Sequence, residues 1–141
     1  MDIFDTQLIE ARLRDAQFGF EIVGGAAEYA AIPALGNFRP GAVYVVLIRE
    51  QNAAGDGPQA RNKTAATVTF GVIAVARNYR GKAGAEALQE VKPVVERIRQ
   101  ALLGWAPAGC SACKWLQGDV LDYDNTHLLW ADVFTTTYVI G

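Results

Sequence analysis

The chain has 141 residues, 51% hydrophobic and 20% charged, with thirteen Lys and Arg against fifteen Asp and Glu for a net charge of −2. With a pI near 5.3 and its basic residues scattered, it has no footprint for a polyanion, so no direct nucleic-acid contact is expected. One histidine in the whole chain removes most acid-base and metal-centred schemes. The length supports one core, so residues 1–141 are read as a single domain. The start, Met1-Asp2-Ile3-Phe4-Asp5, lacks an apolar signal core, and no apolar run nears the roughly 20 residues that span a bilayer, so cytoplasmic production with no membrane partner is expected.

In chain order, Leu8, Ile9, Arg12, Leu13 and Ala16 recur at helical spacing and predict a helix over Asp5 to Gln17, capped by Asp5 or Asp2. Phe18 to Val23 reads as a short strand ending at Gly24-Gly25. Ala26 to Ala31 reads as a helical turn stopped before Pro33, and Ile32 to Pro40 as a loop. Gly41 to Arg49 is apolar at both alternating sets of positions, which predicts a central strand covered on both faces. Gln51 to Lys63 is too polar to bury itself and long for a plain hairpin. It is expected to order on assembly, with Arg49, Gln51, Asn52, Asp56, Gln59, Arg61 and Lys63 as candidate contact residues; an exposed hairpin tip is the plainer alternative.

Thr64 to Arg77 alternates as a strand with Val68, Phe70, Val72, Ala74 and Ala76 on its apolar face. The glycine-rich, basic stretch Asn78 to Gly84 invites comparison with a phosphate loop, but Lys82 is followed by Ala83 and no hydroxyl is placed for a metal. From Ala85 a helix runs to Leu102. Ala87, Leu88, Val91, Val94, Val95, Ile98, Ala101 and Leu102 fall in an arc of about 140°, and the charged residues and Pro93 lie opposite. A proline on the wet side deletes a hydrogen bond whose carbonyl can turn to water. Gly104 suits a left-handed helix end, and Pro107 prevents resumption.

Cys110 and Cys113 follow in a Cys-Ser-Ala-Cys spacing. A redox pair favours a helix start, and zinc needs two further ligands where only His127 is on offer, so both thiols are expected to be idle and replaceable by serine with folding intact. Lys114 to Leu121 then reads as a strand, Asp122 to Thr126 as a turn, and His127 to Ile140 as a long strand that is expected to bend at a bulge near Asp132. Asp119, Asp122 and Asp124 beside His127 could be drawn as a metal cluster, but they are also ordinary turn formers and no metal or cofactor is assigned. Trp105, Trp115, Tyr123, Trp130 and Phe134 are expected to be mostly core.

The element order predicts an α+β (mixed α/β) fold, with one sheet packed against two main helices and ending in a long hairpin. No motif for a nucleophile appears, so no enzyme is expected. Two other classes stay open: a small thiol-redox or metal-binding enzyme using Cys110, Cys113 and His127, and a monomeric ligand-binding domain.

An ordered set of segments carries a resemblance. It comprises Ala42-Val43-Tyr44-Val45-Val46, Gln59-Ala60-Arg61, Val75-Ala76-Arg77-Asn78, Leu103-Gly104-Trp105-Ala106-Pro107, Gly118-Asp119-Val120 with Leu121-Asp122-Tyr123-Asp124, Trp130, and Asp132 to Tyr138 with Phe134. From about Gly41 to the end the chain resembles the tail terminator proteins of tailed bacteriophages and prophages. The resemblance implies a structural virion subunit at the head-proximal end of the tail. It would form a homo-oligomeric ring, sixfold, that caps the tail tube, stops its polymerisation and offers a docking surface to the head-side connector. The Cys-Ser-Ala-Cys stretch and the basic segment from Arg77 to Lys82 lie outside the resemblance and take no role from it.

Overall fold

The computed structural model describes residues 3–53, 64–78 and 85–140, with the backbone alone for 85–87. In chain order the elements are α1 (Gln7–Leu13), β1 (Val23–Gly25), α2 (Ala26–Ala30), β2 (Val43–Asn52), β3 (Thr64–Arg77), α3 (Ala85–Leu102), β4 (Lys114–Tyr123) and β5 (His127–Ile140). The five strands form one mixed sheet in the order β1-β2-β3-β5-β4. Only β1 and β2 are parallel, and the other neighbours are antiparallel. The fold is α+β, as the element order predicts.

β3 is the spine. It pairs over most of its length with β2 and over all fourteen residues with β5, so its ladder hydrogen bonds are satisfied on both sides. Val68, Phe70, Val72, Ala74 and Ala76 point to one face and join Val43, Val45, Leu128, Phe134 and Tyr138 under α1 and α3. Phe70 stacks on Phe134 at 5.7 Å and on Phe4 at 6.0 Å. On the other face Ile73 and Val75 meet Tyr44, Leu129 and Phe38 beneath α2 and the residues after it. The strand expected to be central, β2, is second from the edge. It is enclosed on both faces from Val43 to Val45 and opens to solvent beyond, because β1 pairs only those three residues.

The first helix is shorter than its periodicity predicts. Thr6 stands at its N-cap without a side-chain bond, and Asp5, one residue earlier, takes over with a carboxylate that accepts from the Gln7 N–H at 3.0 Å. Phe18, expected at the head of a strand, sits in a 3-10 turn over Ala16–Phe18 that Asp15 caps and Gly19 reverses at φ 72°. The carbonyls of Phe18 and Gly19 accept from Arg97 of α3 instead of a neighbouring strand, which delays β1 to Val23.

α3 keeps its predicted stripe from Val91 on, whereas Leu88, expected within it, is 42% exposed and the side chain of Ala87 lies outside the described residues. Val91, Val94, Val95, Ile98, Ala101 and Leu102 are buried, and Pro93 lies inside the helix on the exposed side. It ends as its sequence dictates, with Gly104 at φ 78°. The segment after it is closed by two backbone hydrogen bonds, Gly104 N–H to the Cys113 carbonyl at 3.0 Å and Cys113 N–H to the Trp105 carbonyl at 2.8 Å. α3 therefore crosses from β3 to the far side of β5, and the chain re-enters as β4, outside β5, before turning back into β5 itself. The irregularities expected near Asp132 fall on β4, where the register shifts between Trp115 and Gln117 and between Val120 and Asp122, while β5 pairs without a break along β3. A strand held on both sides has no room for an extra residue; an edge strand does.

Candidate functional site

Asp132 lies on the face of β5 that also carries Leu128, Trp130, Phe134, Thr136 and Tyr138. It is fully buried, and three side chains converge on it with four N–H donors. Arg99, at the border of α3's apolar stripe, clamps both carboxylate oxygens, Nε to Oδ2 and Nη2 to Oδ1, each at 2.9 Å. The Trp115 indole N–H donates to Oδ1 at 3.0 Å and that of Trp130 at 3.4 Å. The Arg99 guanidinium also lies 5.0 Å over the Trp115 ring. Its pKa is raised further, first by the hydrogen bonds to Asp132 and then by the carboxylate's charge, against the opposing pull of burial. A planar, bidentate pair of this kind fixes orientation as well as charge. It ties the end of α3 to β4 and β5, so the outer strand is held in a defined position.

Gly118 pairs with Asp132 across the ladder, and a Cβ there would meet the Trp130 ring at 2.4 Å. The indole therefore crosses β4 only because residue 118 has no side chain.

What this scaffold presents is β4 itself. Among the described residues no helix covers it and it has no outer neighbour. Trp115, Leu116, Val120, Leu121 and Tyr123 are all large, apolar and 41–52% exposed. Such a row of apolar side chains beside unpaired backbone groups is what a folded monomer usually avoids. The other edge of the sheet has a second open stretch among the described residues, the part of β2 beyond Val45, where Ile48 and Arg49 are exposed.

Of the contact residues named from sequence, Arg49, Gln51 and Asn52 close the exposed end of β2. Asp56, Gln59, Arg61 and Lys63 lie outside the described residues. Of the residues carrying the resemblance, Gly104 ends α3 and Pro107 is buried in the turn beyond it. Leu103 is exposed there. Trp105 is half-buried, with Arg12 of α1 5.2 Å over its ring and donating to the Ala101 carbonyl at 2.9 Å. Phe134 is core, and Trp105 and Trp130 pack partly buried against it. Trp115 and Tyr123 stand on the outer strand instead.

Asp124 builds the β4–β5 turn. Its Oδ1 accepts from the N–H groups of Thr126 and His127, both at 2.8 Å, and from the Thr126 hydroxyl at 3.0 Å. Those backbone bonds, Thr126 first, lower its pKa. Leu121 and Asp122 precede the turn on the exposed strand. No group of three or more potential metal ligands gathers among the described residues.

The two cysteines differ, where the sequence treated them alike. Cys113 is buried, at 2% exposure, and burial followed by the neighbouring Cys110 pushes its thiol pKa up to about 12. Cys110 is half-buried and is also shifted up by burial. A redox or ligating thiol needs the opposite shift, toward thiolate. Cys110→Ser is expected to change stability by less than about 0.5 kcal/mol. Cys113→Ser, which buries a hydroxyl beside α3, is expected to cost about 1–3 kcal/mol, read from chemical denaturation. Because the folded pKa of Cys113 lies above its unfolded value, its contribution is complete below about pH 8.5 and declines as pH rises toward 12. A Cys113→Ala variant should therefore lose less of its melting temperature than the wild type between pH 8 and 10.

A comparison with curated proteins returns no match. The family model described as phage tail terminator protein matches residues 1–141, taking in α1, β1 and α2 as well as the part from Gly41 onward that carries the resemblance. The chain belongs to the phage tail terminator protein family, a family of structural components of the phage tail.

Proposed function

We propose that this protein forms a closed ring, sixfold, at the head-proximal end of the tail, where it stops polymerisation of the tail tube and provides the surface on which the head-side connector docks. The observation that carries this reading, beside family membership, is the uncovered β4 strand. A structural subunit that exposes five large apolar side chains on a strand fixed from behind by a buried ion pair has a surface prepared for another protein. A ring requires a heterologous interface, with two different patches on each copy, and the sheet has two different open edges. No described group of side chains converges on a reactive position, and the raised thiol pKa values favour neither redox nor metal chemistry at Cys110 and Cys113.

The test is the mass of the purified protein by light scattering and its appearance in negative stain, alone and mixed with tail tubes. Rings in solution or on tube ends are expected. A monomer that leaves tubes bare in both conditions overturns the reading. The contact role of the segment from Arg49 to Lys63 is part of the same proposal. Shortening Ala53 to Gln59 to a tight glycine-containing turn should leave the subunit folded and yield tails of uncontrolled length, or tails unjoined to heads, in complemented lysates. Tails of normal length and joining would limit that segment to a hairpin tip.

A further inference from the structure

The two open edges have complementary chemistry. In an antiparallel sheet, residues directly opposite one another share a face, so the register sorts the exposed side chains of both edges. Asp119 lies opposite Ala131 and Asp122 opposite Leu129, on the face of Tyr44, Ile73 and Val75. Arg49 lies opposite Thr69, which shares that same face with Gly71 and Ile73. Ile48 turns toward Gly71 and is therefore on that face too. One edge thus carries two carboxylates, with Lys114 at its far end opposite Thr135, and the other a guanidinium, on the same side of the sheet, and both carry exposed apolar side chains. Arg49 makes no ion pair among the described residues.

The edges are also unequal in a way that suits head-to-tail contact. β4 is open along ten residues, about 33 Å of strand. On the opposite edge, β1 is blunted by its length and by α1, since Arg14 donates to the Val23 carbonyl at 2.9 Å. The stretch of β2 from Val46 to Asn52 has no outer strand partner among the described residues. The exposed portions of Trp115, Leu116, Val120, Leu121 and Tyr123 amount to on the order of 500 Å² of apolar surface. With the backbone edge and the neighbouring polar groups, that approaches the roughly 800 Å² per partner of a stable interface.

We infer that β4 of one subunit docks along the outer edge of β2 of the next copy, extending the sheet from subunit to subunit, with Asp119 and Asp122 of one facing Arg49 of the other. This rests on the ring reading above and names the two surfaces that make it. The bulges at Leu116 and Leu121 limit how far backbone pairing can run, so side-chain burial and charge set the register.

The test uses the full chain under the conditions in which the wild type assembles, with sedimentation velocity as readout and circular dichroism to confirm folding. Leu116→Lys with Val120→Lys, both at exposed positions, should weaken association about tenfold or more. Arg49→Asp alone and Asp119→Arg with Asp122→Arg should each weaken it by several fold, and combining the two charge reversals in one chain should restore it. A wild type that remains monomeric with and without tubes overturns the ring reading, and this interface with it. A wild type that assembles while the β4 variants assemble equally well overturns the interface alone. Dimers that require Leu116 and Val120 but ignore Arg49 also overturn it, since they mark β4 pairing with itself.

Discussion

Replacing Asp132 with alanine is expected to be among the most damaging single changes in this protein, costing about 3–5 kcal/mol if the site behaves as a fully buried pair. The carboxylate is wholly buried, but the Arg99 side chain is 37% exposed, so water can recover part of the guanidinium's solvation and the lower half of that range is expected. Three donors lose their acceptor together: the Arg99 fork and the indole N–H groups of Trp115 and Trp130. Asp132→Asn should lose less, because the amide oxygen can still accept from an indole, although it forfeits the charge and half of the fork. Arg99→Lys is not conservative here, since an ammonium can neither grip both oxygens nor lie flat over Trp115. An Arg99→Met, Asp132→Leu double variant is expected to be more stable than Asp132→Ala, because it strands no buried charge. Urea denaturation of the set, arranged as a double-mutant cycle, separates these terms. Equal stability of wild type and Asp132→Ala would show that the cluster contributes nothing to the fold.

The parts of this fold legible in the sequence are those whose information is local. β3 and β5 run from Thr64–Arg77 and His127–Ile140 as their alternation predicts, and the stripe of α3 is buried from Val91 to Leu102. Sheet order is different in kind. The apolar run at Ala42–Ile48 resembles a central strand because its first half is enclosed on both faces, yet its neighbour β1 is three residues long. Nothing within residues 41–49 reports the length of a partner. The same reasoning applies to β4: Trp115, Leu116, Val120 and Leu121 have the composition of a core strand, and only the path of α3, which crosses β5 before the chain re-enters the sheet, leaves them outermost. The Arg99–Asp132 pair joins residues 33 apart. Its one sequence signal is a carboxylate on a face of β5 that holds Leu128, Trp130, Phe134 and Thr136, a position that requires a buried partner without naming it. The stretch beyond Asn52, expected to make assembly contacts, is legible only as composition, which limits burial and says nothing of which surface it would meet.

Gly118 is where sequence offered least and the geometry demands most. An alanine Cβ at this position would stand 2.4 Å from the Trp130 ring, 3.0 Å from a second ring atom and 3.1 Å from Oδ1 of Asp132. The first distance forces movement, and little can yield. Trp130 is a rigid ring rather than a flexible side-chain end, it packs against the core, and its N–H is directed at Asp132. Moving β4 outward instead would stretch the bond between Trp115 and Asp132 and the ladder on either side of the 118–132 pair. Gly118→Ala is therefore expected to cost about 1–3 kcal/mol, and Gly118→Val more. The loss should fall unevenly, with amide hydrogen exchange accelerating along β4 while the paired core of β3 and β5 keeps its protection. Pairing the substitution with Trp130→Leu, which clears the ring from the space above residue 118, should return part of the lost stability, because the clash is its main cause. A Gly118→Ala protein with wild-type stability and unchanged exchange in β4 would mean that the indole can vacate this position freely and that the outer strand is not fixed by it.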